Sequence, residues 1–127
     1  MKILIIIPVF NEAQTIFKIL KKIKSIKKIS KEIIIVDDGS TDKTNHVIKK
    51  KCKGLYNKLV RYKENKGKGY ACRIGLKNVT GKIVIIQDAD LEYDPRDYIK
   101  LIKPILIKKT KIVYGSRVLK GAVRTRP

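Results

Sequence analysis

Ile83-Val84-Ile85-Ile86-Gln87-Asp88-Ala89-Asp90-Leu91-Glu92-Tyr93-Asp94-Pro95 is the stretch whose reading decides the fold. Its first four residues are apolar and β-branched, and they are entered through Thr80-Gly81-Lys82, so they read as a buried strand that needs both faces covered. Three acids emerge at the end of that strand. Alternate residues of extended backbone project to the same side, which places the carboxylates of Asp88, Asp90 and Glu92 on one face. Two or three hard oxygen ligands, with positions left open for phosphate oxygens and water, are how Mg²⁺ or Mn²⁺ is held when it bridges protein and a diphosphate. Polar loops also collect acids at strand ends. The apolar strand before this cluster and the cationic chain around it set it apart from that background.

The same pattern repeats on the N-terminal side. Lys2 to Ile7 reads as a strand stopped by Pro8, which has no N–H for a ladder. Asn11-Glu12-Ala13-Gln14 reads as a capping box with Asn11 as N-cap, and Ile16, Ile19, Leu20, Ile23 and Ile26 then follow at helical spacing. Glu32 to Val36 is a second strand ending in Asp37-Asp38-Gly39-Ser40-Thr41-Asp42, before a short helix through about Cys52. The single histidine, His46, has no second ligand near it in sequence and reads as a surface residue. Leu59 to Tyr62 is a third strand. Asn65-Lys66-Gly67-Lys68-Gly69 then opens a helix carrying Ile74 and Leu76, with glycines that admit a ligand to the backbone and lysines that add charge. It lacks the spacing and the Lys-Ser/Thr ending of a Walker loop. Beyond the acid cluster, Asp94-Pro95 starts a helix with Ile99, Leu101, Ile102, Ile105 and Leu106 on its buried side and a kink at Pro104. Lys111 to Tyr114 is a fifth strand, closed by Gly115-Ser116-Arg117.

The 127 residues suit one domain, residues 1–127, with one core. No apolar run is long enough to span a bilayer, and the N-terminus lacks the length and cleavage site of a signal peptide, so the chain reads as cytoplasmic. Cys52 and Cys72 stand without a partner motif and read as free thiols. The 31 Lys and Arg against 11 Asp and Glu give a net charge of +20, which admits nucleic acid, an anionic membrane surface or an anionic small substrate as partners. Charge alone does not choose among them.

Strand and helix alternate throughout, so the expected fold is α/β: a mostly parallel central sheet with helices on both faces, a Rossmann-like nucleotide-binding core. Ligands of such sheets bind beyond the carboxyl ends of the strands. Every unusual set falls there: Pro8 to Glu12, Asp37 and Asp38, Lys66 to Gly69, Asp88 to Glu92, and Arg117. Acids, lysines and an arginine on one rim suit a nucleotide diphosphate with a divalent metal.

Ile-Pro-Val-Phe-Asn-Glu at 7–12, Val-Asp-Asp-Gly-Ser-Thr-Asp at 36–42, Asn-Lys-Gly-Lys-Gly at 65–69, Gln-Asp-Ala-Asp-Leu-Glu-Tyr-Asp-Pro at 87–95 and Tyr-Gly-Ser-Arg at 114–117 together resemble the family 2 glycosyltransferases of the GT-A fold. Within that family the chain is most similar to the dolichyl- and polyprenyl-phosphate sugar transferases, over residues 3–119. The resemblance implies that Pro8, Phe10 (commonly tyrosine in the family) and Glu12 line the nucleoside pocket, with Val36 and Asp38 against the base. It implies that Lys68 sits near the phosphates or sugar and that Arg117 faces the donor phosphates. It implies that Asp88, Ala89, Asp90 and Glu92 form the Asp-x-Asp segment, with Asp90 and Glu92 on the Mg²⁺ or Mn²⁺ and Asp88 on ribose or sugar hydroxyls. Asp88, Asp90 and Arg117 are then the catalytic candidates. Glu92 stands where relatives carry a neutral polar residue.

The implied reaction moves a sugar from a GDP- or UDP-linked donor to a polyprenyl phosphate. Negative charge grows on the departing diphosphate, and a cation with Lys68 and Arg117 stabilises it. A lipid phosphate, with a second pKa of about 6, is already anionic at neutral pH and needs no general base. The basic surface is then expected to favour peripheral contact with the cytoplasmic membrane face. Relatives continue past their Gly-Ser-Arg motif, so the acceptor-side segment is expected to be missing here. The alternatives are a catalytically silent nucleotide-sugar-binding module and a basic nucleic-acid-binding protein. The latter lacks aromatic clusters or a reading helix, so no specific nucleic acid is expected.

Overall fold

A computed structural model describes residues 2–27, 30–77, 83–87, 111–114 and 123–125. The elements are β1 (Lys2–Val9), α1 (Ile16–Lys24), β2 (Ser30–Asp38), α2 (Thr44–Lys50), β3 (Lys58–Tyr62), α3 (Lys68–Leu76), β4 (Ile83–Ile86), β5 (Lys111–Tyr114) and β6 (Val123–Thr125). They form a six-stranded sheet in the order β3-β2-β1-β4-β5-β6. All pairings are parallel except β5 with β6. The expected α/β fold is therefore present.

β1 is the centre of the sheet because it is apolar without interruption. Ile3 to Ile7 are all buried, and their side chains alternate between two cores. Ile3, Ile5, Ile7 and Val9 join Ile16, Ile19, Leu20 and Ile23 of α1 and Ile48 of α2 on one face. Leu4 and Ile6 join Ala71 and Cys72 of α3 on the other. The chirality of crossovers explains this split. Passing from β1 to β2 to β3 in one direction puts α1 and α2 on one face. Returning from β3 across β2 and β1 to β4 reverses the direction and puts α3 on the opposite face.

Four expectations are corrected. β1 does not stop at Pro8 but runs to Val9, with Pro8 in register with Val36. Ile6 accepts a hydrogen bond from the Gln87 N–H, so Ile6 faces β4, and alternation turns the Pro8 nitrogen to the same side. The last β4 partner lies opposite Ile6, so the missing N–H breaks no pair with that strand. α1 starts at Ile16 rather than after Asn11, with Thr15 at the cap position and residues 13–15 in a turn. β2 is longer than Glu32 to Val36 and takes Asp37 and Asp38 into its last two positions. β6, an antiparallel edge strand, falls in a stretch whose sequence carried no strand signal. The expected helix after Asp94-Pro95 lies outside the described residues.

Cys52 and Cys72 are free and buried, as expected. Burial pushes the Cys52 thiol up to about 11 and raises that of Cys72 as well, so both remain protonated packing groups. His46 is exposed on α2.

Candidate functional site

The strand order reverses between β1 and β4, and a crevice opens beyond the carboxyl ends of the strands at such a switch. Three loops converge on this rim: Phe10 to Thr15 after β1, Gly39 to Lys43 after β2, and Lys63 to Gly67 after β3.

Asp38 is the hub of the last two. It is buried at the end of β2, and its carboxylate accepts four hydrogen bonds. Oδ1 takes the Tyr62 hydroxyl at 2.6 Å and the Lys66 N–H at 2.9 Å, and Oδ2 takes the Asn65 side-chain amide at 3.1 Å and the Gly67 N–H at 2.9 Å. Four donors match the roughly four lone-pair positions of a carboxylate. Asp38 thus ties the Gly-Lys loop to the sheet. Burial first, and the bond to Asp38 second, raise the Tyr62 pKa well above the usual phenol range, so Tyr62 stays a donor at neutral pH. Gly39 completes the lock. Its φ is +75°, and a Cβ there would lie 2.6 Å from the Asn65 backbone nitrogen, so the two loops touch backbone to backbone only because residue 39 is glycine.

Asp37, also buried, accepts the Ser40 N–H on Oδ1 at 3.0 Å and faces the half-exposed Arg61 at 3.9 Å. Asp42 accepts both the N–H and the hydroxyl of Thr44, placing a carboxylate at the start of α2, where the helix dipole favours it.

Asn11 joins the first loop to the second. It sits in the left-handed region at φ 52°, which asparagine tolerates better than most residues. Its N–H donates to the Ser40 hydroxyl at 2.9 Å, while its Oδ1 accepts the N–H groups of Thr41 at 2.8 Å and Asp42 at 3.2 Å. The side chain expected to cap its own helix instead terminates the neighbouring loop. Next to it, Phe10 is exposed (42%), the one large exposed apolar side chain among the described residues. Glu12 is half-buried and accepts the Thr15 hydroxyl at 3.1 Å.

Of the expected site residues, Pro8, Phe10, Glu12, Val36, Asp38 and Lys68 stand at the ends of β1 and β2 and at the start of α3. Val36 is buried in the α3-side core and Lys68 is exposed. Asp88, Ala89, Asp90, Glu92 and Arg117 lie outside the described residues, as does the expected metal centre. Asp88 directly follows Gln87, whose N–H is bonded to β1. Among the described residues no group of three potential ligands is placed to hold a metal. Asp37 and Asp38 do not fit one: both are buried, Asp38 has both oxygens taken by N–H and O–H donors, and Asp37 has Oδ1 on the Ser40 N–H and Oδ2 facing Arg61.

Asn11, Tyr62 and Asn65 are rim residues that the sequence reading missed in this role. The Tyr62 ring meets Tyr70 edge to face at 5.3 Å, and Lys66 and Arg73 lie over Tyr70 at 5.4 and 5.9 Å. A tyrosine one strand away from a buried aspartate at the same sheet end is the signal that would have found Tyr62; the register needed to see it comes only from the fold.

The sequence model of glycosyl transferase family 2 matches residues 4–126. An uncharacterized protein of Methanocaldococcus jannaschii is 36% identical over 99% of this chain and 51% of its own length. The dolichol-phosphate mannosyltransferase of Pyrococcus furiosus is 32% identical over 95% of this chain and 34% of its own length. The chain therefore spans about half, or less, of these relatives. Among solved structures, glucosyl-3-phosphoglycerate synthase from Mycobacterium tuberculosis, in complex with Mn²⁺, uridine diphosphate and glucosyl-3-phosphoglycerate, superposes with a TM-score of 0.66. It is 26% identical, covering 83% of this chain and 39% of that one.

Proposed function

The chain belongs to glycosyltransferase family 2, and from that premise we propose that it binds a nucleoside diphosphate sugar on the rim described above and serves transfer of the sugar to a polyprenyl phosphate. The observation that carries this reading is the lacing of three loops at the carboxyl ends of β1, β2 and β3, beside the switch point at the end of β4, after which Asp88 to Glu92 follow in sequence. Such lacing holds a nucleotide site open before the ligand arrives, which lowers the ordering cost of binding.

In this reading the exposed Phe10 ring offers a face to the base, with Pro8 and Glu12 beside it, while Val36, fully buried in the α3-side core, acts by holding the end of β2 in place. Asp38 acts at this pocket through the Asn65 to Gly67 loop that it holds. Lys68 neutralises phosphate charge from the start of α3, and Arg117 does so from the end of β5. Asp90 and Glu92 hold a divalent cation, Mg²⁺ or Mn²⁺, which supplies positive charge to the diphosphate as it leaves. Asp88 takes ribose or sugar hydroxyls. The relative from Pyrococcus furiosus is named for a lipid-phosphate acceptor, and an acceptor of that class is already ionised at neutral pH. No helix among the described residues is long and apolar enough to cross a membrane. In this reading the basic charge favours peripheral contact with an anionic leaflet, on the cytoplasmic face.

Calorimetric titration of GDP- and UDP-sugars with and without Mn²⁺, on the native chain and on Asp90→Ala, tests the donor site. Metal-dependent binding of one donor, lost in the variant, is expected. Absence of binding to every donor overturns the reading. Binding without transfer to a polyprenyl phosphate assigns a nucleotide-sugar-binding module instead.

A further inference from the structure

The charge of this chain is segregated, and the fold shows where. No acidic residue occurs between Glu12 and Glu32, a stretch with seven lysines, or between Asp42 and Glu64, a stretch with seven lysines and one arginine. These stretches hold α1 and α2, which share one face of the sheet. The stretch between Glu64 and Asp88, which holds α3 on the other face, is likewise free of acids but carries only four lysines and one arginine, so what sets the α1/α2 face apart is its density of lysine, while Glu12, Asp37, Asp38 and Asp42 gather at the rim. The exposed sides of the two helices form one surface, because Lys21 of α1 and Lys51 after α2 both lie over the half-buried Phe17 ring, at 5.7 and 5.5 Å. Like charges three and four residues apart, such as Lys18 with Lys21 and Lys22, oppose helix formation. Near this surface the Lys31 ammonium has a lowered pKa, through burial first and then Lys24 and Lys27. The repulsion is relieved by an anionic partner.

We propose that the α1/α2 face docks on an anionic lipid bilayer; choosing a bilayer over other polyanions rests on the lipid-phosphate reading of the site. Two packed helices give a broad cationic surface suited to a plane of headgroups. They carry lysine and no arginine. Lysine is a hydrated point charge, whereas base recognition in nucleic acid favours the planar fork of arginine.

The test is sedimentation with vesicles of phosphatidylcholine alone or with about 30% phosphatidylglycerol, enough to give a negative surface potential. Two variants of equal net charge are compared: Lys18, Lys21, Lys50 and Lys51 all changed to Glu, and Lys58, Lys63, Arg73 and Lys77 all changed to Glu. Circular dichroism verifies that each is folded. The native chain is expected to bind only the anionic vesicles. The α1/α2 variant is expected to lose about a hundredfold in partitioning, and the other variant less than about tenfold, since each well-placed lysine counts separately. Equal losses in both variants would overturn the assignment of the face while leaving membrane contact intact. No native binding would overturn the membrane reading too, whereas the donor titration stands apart from either result. Preference for a short DNA duplex over the anionic vesicles at equal salt would transfer the surface to nucleic acid.

Discussion

The two faces of the sheet are packed by opposite means. On the α1/α2 face, large isoleucines fill the space: Ile16, Ile19, Leu20 and Ile23 meet Ile3, Ile5, Ile7 and Ile35, all buried. On the α3 face the helix presents Ala71, Cys72 and Gly75, and it comes so near β1 that a Cβ on Gly75 would stand 2.6 Å from Ile6 Cγ2. Bulk gives the first face its stability. Closeness lets the second shape the rim, because α3 pressed onto β1 carries the Lys66 to Lys68 loop to the sheet end where Asp38 receives it.

Removing volume from the first face gives the largest expected effect. Ile19→Ala leaves a cavity under α1 and is expected to cost about 3–4 kcal/mol in urea unfolding, with donor binding retained by the folded fraction. Adding volume to the second face works in the other direction. Gly75→Ala gains helix propensity, yet the added methyl strikes a fully buried side chain on the central strand, so a net loss of about 1–2 kcal/mol is expected. A neutral outcome there would mean that α3 is free to lift, and the contrast between the faces would fall.

Asp38→Asn sharpens the link between the second face and the rim. It turns one acceptor oxygen into an NH₂ facing N–H donors, with an expected cost of about 1–2 kcal/mol. Its distinctive sign is faster trypsin cleavage after Lys66 and Lys68 at unchanged helix content. Unchanged cleavage would show that the loop holds itself.

The smallest effect is a pH dependence. The folded-state pKa of Tyr62 is raised by burial and Asp38, so its contribution is complete below the unfolded phenol value of about 10. Above that pH the unfolded chain ionises first, and stability falls as pH rises toward the folded value. Tyr62→Phe is expected to flatten this part of the alkaline limb, read by thermal melts from pH 9 to 11.

Much of the architecture was legible because apolar periodicity is a local property. The runs Ile3 to Ile7, Ile33 to Val36 and Ile83 to Ile86 declared buried strands, and Ile16, Ile19, Leu20 and Ile23 declared a one-sided helix. Placement of acids, glycines and lysines at strand ends pointed to a rim. Asn11 was misread because an N-cap asparagine and one in a left-handed turn look alike in sequence; which loop it bonds depends on where β2 brings Thr41 and Asp42. Pro8 was misread as a stop because the partner that its missing N–H would face depends on the length of β4.

The amino-acid sequence by itself determined the alternation of strand and helix, the parallel sheet that alternation requires, and the gathering of charge into acidic strand ends and acid-free helices. These follow from side-chain size, polarity and spacing along the chain. Tertiary structure alone decided that α1 and α2 share a face while α3 takes the other, that Gly75 and Ile6 set the depth of α3, and that Asp38 spends its carboxylate on Tyr62, Asn65, Lys66 and Gly67. Each of these joins residues far apart in the chain, and which of many polar groups meet is settled by strand order and register, quantities that no local pattern encodes.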